Sequence, residues 1–489
     1  RNVTMGGGVD PLTGYATGAS GSGAEDNGIT IADNSTINAA GGTIRLRGQS
    51  TDTGGATAVG VFIGETDLTT SGAGNISITG IGGNATSTNF GIALNAADIT
   101  VVEGDIALTG QGGDGSGSDN YGIYAYDGST ITSTGTGPSA GTITLHGTGG
   151  DGTSDNYGIY LLDDDTEITS VDGAISLTGV GATGASGDNN HGIYFHDGAD
   201  IVSNGTGAHA ATITLHGTAS NGNNMGFLLK GGSITSGYGD IDITGSAIGN
   251  RGVMISRYDT TAASSIVQST GTGVDAANIT FNASSASHSG MFQHVHGNVQ
   301  TVDGDINITA RGRQGYDMRF TAHTIATGNG TITILGEGQG VGAGNRDGIS
   351  IGHSAYISTN NGAIDLTGIG GDSTNTTGHG IRFYDDNGNA RIVSTGAGNI
   401  TLAGTAGACT LGNCHGVSLP ASTVSNNYSI RTSGTGNISV TGIGGDTGSD
   451  NYGIYLAGVS YIESTGTGAS AGTITLHGTG GDGTSDNHG

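Results

Sequence analysis

Basic side chains are scarce in this sequence: 13 Lys and Arg stand against 41 Asp and Glu, a formal charge of -28 at pH 7. Lys230 is the single lysine, and cations spread so thinly form no patch able to neutralise phosphates, so no nucleic-acid partner is expected. An acidic, lysine-poor surface suits solubility and attracts divalent cations. Tryptophan is absent and there are three prolines against 101 glycines in 489 residues, which is not the composition of ordinary globular domains. No run of about 18 apolar residues occurs, so no membrane insertion is expected in this segment. No signal peptide opens the chain, and its first residue, Arg1, reads as that of a mature or excised piece. Only two cysteines occur, Cys409 and Cys414, in the loop CTLGNC. That spacing admits a local disulfide in an oxidising compartment, two free thiols or, with His415 adjacent, a metal site.

Apolar residues are only 33% of the chain, but they are Ile, Val and Leu at regular spacing, which predicts a fold around a narrow core rather than disorder. One unit reads TITLHGTGGDGTSDNYGIYLLDDDTEITSVDG, Thr142 to Gly173. Its opening returns as DIALTG at Asp105, AISLTG at Ala174, DIDITG at Asp240, AIDLTG at Ala363 and NISVTG at Asn437, and as TITLHG at Thr212 and Thr473. Fourteen such openings lie between Thr43 and Thr473, or about 33 residues per coil. Within a coil, Ile143 with Leu145, Ile159 with Leu161, and Ile168 mark three short strands separated by Gly, Asp, Asn and Ser turns. Alternation along a strand sends Ile143 and Leu145 one way and Thr142, Thr144 and His146 the other.

These features predict an all-β fold, a right-handed parallel β-helix (β-solenoid) of about 14 coils with three short strands each. Residues 1–42 are expected to hold a partial first coil and 43–489 a continuous array. Insertions such as STGTGPSAG, where another coil has SVDG, emerge at corners and leave the stacked strands undisturbed. Asn or charge pointing inward is expected to be costly, and the inward slots of the first strand are apolar from Ile44 and Leu46 to Ile474 and Leu476. A coil cannot bury its core alone, so stability must come from stacking. The stretch Ser133 to Gly158 returns at Ser464 to Gly489 with two substitutions, and Gly489 falls in mid-coil, so the array is expected to continue beyond this segment.

The phrasing GNISVTGIGGD, GDIALTG and STGTGNI resembles the β-helical shafts of filamentous haemagglutinin-like exoproteins of two-partner secretion and, more loosely, autotransporter passenger domains. The resemblance covers nearly all of the chain and implies export, display at a bacterial outer surface, and adhesion or aggregation carried by length. Neither an amino-terminal secretion domain with Asn-Pro motifs nor a carboxy-terminal translocator or toxin module is present in the segment.

Several positions invite a more specific role. Asp114, Asp119, Asp151 and Asp155, in GGDGSGSDN and GGDGTSDN corners, match the Gly-Asp phrasing of calcium-binding β-rolls, and stacking puts them near enough to share Ca2+. The other reading is that Asp, Asn and Gly are what tight turns require. Tyr124, Tyr160 and Tyr194 occupy equivalent outward places on successive coils and are expected to stack into a ladder. That ladder serves either as a stabilising surface or as a contact for cell-surface glycans or another fibre. The position is not aromatic at Met254, Ser350 and Arg382 and is again at Tyr455. A Thr row including Thr142, Thr144, Thr212 and Thr214 is broken by Asp240, Asp242, Asn307 and Asp365, too irregular for an ice-binding face.

Polysaccharide-cleaving enzymes share the expected fold, but their sites need several carboxylates converging with Arg or Lys. Here Asp242 and Asp365 are isolated, Arg45 and Arg47 lack an acidic partner on the next strand, and His146, His216 and His477 recur with the repeat. The expectation is a secreted structural or adhesive fibre that self-associates, without catalytic residues or a resident cofactor. A glycan- or Ca2+-binding module is the alternative.

Overall fold

The computed structural model describes residues 1–7, 12–18, 26–184, 187–220, 222–257, 264–375, 377–384, 389–420, 429–468 and 471–489. They fall into two compact units, the first Arg1–Asn250 and the second Arg251–Arg257 with Ser264–Gly489. Among the described residues the only helical element is a 3-10 turn at Gly137–Ser139. In both units the chain cycles through three parallel strands per coil, and each strand pairs with its equivalent in the next coil.

The coil from Thr142 shows the rule in the first unit. Its strands are Ile143–Thr148, Ile159–Leu162 and Glu167–Ser170, one on each of three faces. Ile143 pairs with Ile106 and Ile175, Ile159 with Ile123 and Ile193, and Ile168 with Ile131 and Ile201. Like residues therefore stack without any register shift. Ile143, Leu145, Ile159 and Leu161 are wholly buried, while Thr144 and His146 point to solvent, as the alternation predicts. Residues 1–42 already hold four strands, Val3–Met5, Ala16–Thr17, Ile29–Ile31 and Ser35–Asn38, which pair with Ile44–Leu46, Gly48–Gln49, Val61–Ile63 and Thr66–Thr69.

Glycine abundance has a steric cause at the corner between the first two faces. A Cβ on Gly147 would lie 2.1 Å from the carbonyl oxygen of Gly158, and one on Gly158 would lie 2.3 Å from the nitrogen of Val180. The first strand can turn into the second only if neither residue carries a side chain.

The inward slots of the first strand are apolar as expected, but the interior as a whole is not. At the start of the second face Asn89, Asn120, Asn156, Asn190 and Asn224 are buried in a row. The Asn120 side-chain amide donates to Asn156 Oδ1 (2.7 Å), that of Asn156 donates to Asn190 Oδ1 (2.8 Å), and that of Asn89 donates to Asn120 Oδ1. Backbone N–H groups add to the row, Asn156 donating to Asn190 Oδ1 and Asn190 to Asn224 Oδ1. Because an amide is both donor and acceptor, identical residues stacked in register satisfy each other, which removes the desolvation cost.

The second unit keeps the coil but fills it differently. Its strands Ile364–Ile369, Ile381–Tyr384 and Arg391–Ser394 exemplify the same cycle, with Ile364 between Ile332 and Ile400. Inside it are Phe281, Met291, Tyr316, Met318 and Phe383, all wholly buried. The Tyr316 hydroxyl donates to Gln293 Oε1 (2.5 Å), and Thr324 donates to the same oxygen (3.1 Å). Gln293 Nε2 donates to the carbonyls of Gly297 and His323, so this buried polar group is satisfied throughout.

Candidate functional site

On the second face of the first unit Tyr124, Tyr160 and Tyr194 stack, with ring centroids 5.1 Å apart at both steps and planes within 12°. Beside them runs a second column that the strand pattern did not reveal. It consists of Phe90, Tyr121, Tyr157 and His191, at steps of 4.9, 5.0 and 5.4 Å. The columns meet edge to face, Tyr121 on Tyr124, Tyr157 on Tyr160 and His191 on Tyr194. Tyr121, Tyr157 and Tyr194 are consequently buried, which corrects the picture of Tyr194 as an open surface residue. Tyr124 and Tyr160 stay half-buried. Ring faces are covered by the next ring, so the array presents edges and hydroxyls rather than a flat stacking platform. The Tyr column stops at Leu228, which pairs with Tyr194. In the second unit the equivalent strand position runs Met254, Phe292, Asp317, Ser350, Arg382, Ser418 and Tyr455. Phe292 is thus an aromatic residue at this position that the strand pattern did not indicate.

The four aspartates proposed for Ca2+ divide into two kinds of turn. Asp114 Oδ1 accepts the N–H of Asp151 (3.0 Å), and Asp151 Oδ1 accepts the N–H of Gly184 (2.8 Å), so each side chain ties its corner to the next coil. Asp119 accepts the hydroxyls of Tyr121 (2.7 Å) and Ser118 (2.9 Å), and Asp155 those of Tyr157 (2.8 Å) and Ser154 (2.9 Å). Both Asp119 and Asp155 adopt left-handed backbone, φ 65° and 56°, which Asp tolerates better than most residues. Burial first, and the adjacent aspartate second, raise the Tyr121 and Tyr157 hydroxyl pKa values, so both stay protonated donors. Each carboxylate keeps further lone pairs beyond these bonds, and no group of three or more His, Cys, Asp or Glu poised for a metal gathers among the described residues. Cys409 and Cys414 are joined as a disulfide with Cα atoms 6.0 Å apart, both buried.

One cluster in the second unit is singular rather than repeated. Asp317 is 2% exposed and accepts from Arg319 Nε (2.8 Å) and from the Tyr384 hydroxyl (3.3 Å), with Arg319 Nη2 also 2.8 Å away. Arg251 lies over the Phe292 ring at 4.1 Å, and Arg319 over the Tyr384 ring at 4.9 Å. Asp347, fully buried, accepts from Ser350 (3.1 Å) and from the N–H of His379 (3.0 Å) and lies 3.6 Å from Arg382 Nη1. Burial pushes the Asp317 carboxyl up, while Arg319 and then Arg251 pull it back. Both carboxylates are enclosed by their own partners, so this network can brace successive coils, and the half-buried His294 and His353 pack against its rings Phe292 and Tyr384. A hint was available in composition, since nine of the 13 basic residues lie at Arg251 or beyond.

Comparison with protein-family models, curated proteins and solved structures yields no match. The isolated charges of the first face differ from Arg311 and Glu337, which pair across two of its strands at 2.7 Å. Asp242 pairs with Thr214, Asp365 lies between Thr333 and Thr401, and Arg45 and Arg47 pair with Ser77 and Thr79. No helix among the described residues is long and apolar enough to cross a membrane.

Proposed function

We propose that this chain is a length of the shaft of a secreted bacterial surface fibre, similar to the filamentous haemagglutinin-like exoproteins, which spaces, bundles or adheres cells without catalysing a reaction. The observation that carries this reading is the in-register pairing of each strand with its equivalent one coil away, in both units. Such a stack grows by addition of coils and acts through length. A right-handed winding belongs to the proposal, because parallel crossovers are right-handed in about 98% of cases. The self-covered tyrosine columns and the turn-forming aspartates support a stabilising role for the residues that looked most like sites. A glycan contact through the half-exposed edges of Tyr124 and Tyr160 is the second reading. Saturable glycan binding abolished by Tyr160→Ala would favour it.

Electron microscopy of native surface material, paired with a denaturing gel, tests the proposal. Long filaments built from a very large chain, or from polymers of this one, are the expected result. A discrete monomer without filaments contradicts it.

A further inference from the structure

We propose that the third face of the second unit carries a binding site for a short acidic oligosaccharide in which a uronic acid alternates with neutral sugars. This inference does not depend on the shaft reading. The site is a groove of about 360 Å³ formed on the strands Tyr356–Thr359, Arg391–Ser394, Ser429–Thr432 and Tyr461–Ser464. Register places Tyr356, Arg391, Ser429 and Tyr461 in one outward column, and Ser358, Val393, Arg431 and Glu463 in the next. Between the columns Ile357, Ile392 and Ile430 point inward and are wholly buried.

Two tyrosines close the groove three coils apart, roughly 14 Å at about 4.8 Å per coil, the reach of a short oligosaccharide rather than of one ring. They differ from the tyrosines of the first unit in having no ring stacked between them. Tyr356 meets His323 edge-on at 5.9 Å on one side and has Arg391 on the other. Tyr461 lies on the last strand of this face among the described residues and is 39% exposed there. Val393 supplies an apolar patch to the floor, and Thr395, Ser429 and Ser433 bring hydroxyls. A pyranose chain presents the matching chemistry, with C–H faces for tyrosine and hydroxyls for serine and threonine.

Charge narrows the class. Arg431 is held by Glu463 at 3.1 Å and donates to Thr465 Oγ1 (3.4 Å). Arg391 is exposed and makes no ion pair among the described residues. Among the described residues one guanidinium fork without an ion pair lies between the two tyrosines, which suits one carboxylate among neutral sugars. A chain charged on every ring would meet a protein of net charge -28 with, among the described residues of the groove, one guanidinium that no carboxylate holds.

Titration calorimetry on the full 489-residue chain tests this, with a hyaluronan tetrasaccharide as probe, in which glucuronate alternates with a neutral N-acetylated sugar. One saturable site per chain is expected, weakened about tenfold or more by Arg391→Gln and by Tyr461→Ala. Both residues are exposed, so melting curves should not move. Tyr160→Ala, in the first unit, should leave this binding unchanged and thereby separates it from any glycan contact of the tyrosine columns. Absence of binding, equal binding of a neutral chitin tetrasaccharide, tighter binding of a heparin tetrasaccharide, or full binding by the Arg391→Gln protein overturns the proposal.

Discussion

In the first unit one buried residue is repeated coil after coil, Asn120, Asn156 and Asn190, and the rings of Tyr124, Tyr160 and Tyr194 stack in the same way. In the second unit the buried constellation of Gln293, Tyr316 and Thr324 and the enclosed network of Asp317, Arg319 and Tyr384 each have partners of different kinds, although repetition returns near its end, where Asn451 donates its N–H to Asn487 and His415 stacks on Tyr452. A repeated residue is satisfied by its own copy, so repetition by itself supplies the partner. A unique residue needs partners placed individually by distant segments, and coils that vary in this way are free to differ on the surface as well. The groove at Arg391 lies in the varied unit.

The comparison can be broken at several points. Gly147→Val in the first unit should have the largest effect, about 4 kcal/mol or more, because its side chain has no room at the corner. Thermal unfolding followed by circular dichroism checks it. Next, Asn156→Leu should cost about 3 kcal/mol, since it strands the buried amide of Asn120 and one side of Asn190. Gln293→Leu should cost somewhat less, about 2 kcal/mol, because Tyr316 and Thr324 keep each other at 3.3 Å. Hydrogen exchange should place the Asn156 effect in the first unit and the Gln293 effect in the second. A larger loss for Gln293→Leu would reverse the account of the two interiors.

Acid should weaken both units through buried histidines. His191 in the first and His415 in the second are pushed down to about 3, in each case chiefly by burial, then by Lys230 and by His379 respectively. Their ring Nδ1 atoms accept the N–H of Met225 and of Tyr452. Unfolded, such histidines titrate near 6.5. Between about pH 6.5 and 3 the unfolded chain therefore binds protons that the folded chain does not, so this stability is full above 6.5 and lost on acidification. The loss approaches about 1.4 kcal/mol per pH unit for each histidine. Denaturant midpoints at pH 7 and 5 measure it, and His191→Gln, which retains an acceptor, should flatten part of the dependence. The smallest effect belongs to Arg431→Gln, about 0.5 kcal/mol, since the pair with Glu463 is 45% and 38% exposed. A loss of several kcal/mol there would mean that surface charge, not stacking, holds the second unit.

The coil was legible because Ile143, Leu145, Ile159 and Ile168 follow strand alternation and return at a regular interval. What escaped lies where alternation says nothing. Tyr121, Tyr157 and His191 precede the corner rather than lie on a strand, and only the fold brings them against Tyr124, Tyr160 and Tyr194. Asn120 and Asn156 have the letters of a turn, and the same letters serve a solvated loop or a buried ladder. Arg251, the Asp317–Arg319 pair and Tyr384 come from separate coils and meet only through register, as do Tyr356, Arg391 and Tyr461. Aspartate corners were read by type but not by partner, since Tyr121 and Tyr157 are bonded to residues two positions earlier in the chain.

The central claim is that each strand stacks on its equivalent one coil away, in register. X-ray diffraction from a flow-aligned sample of the purified protein tests it most directly. The account predicts a strong reflection near 4.8 Å along the alignment axis, the spacing of paired strands. A pattern without that oriented reflection contradicts it.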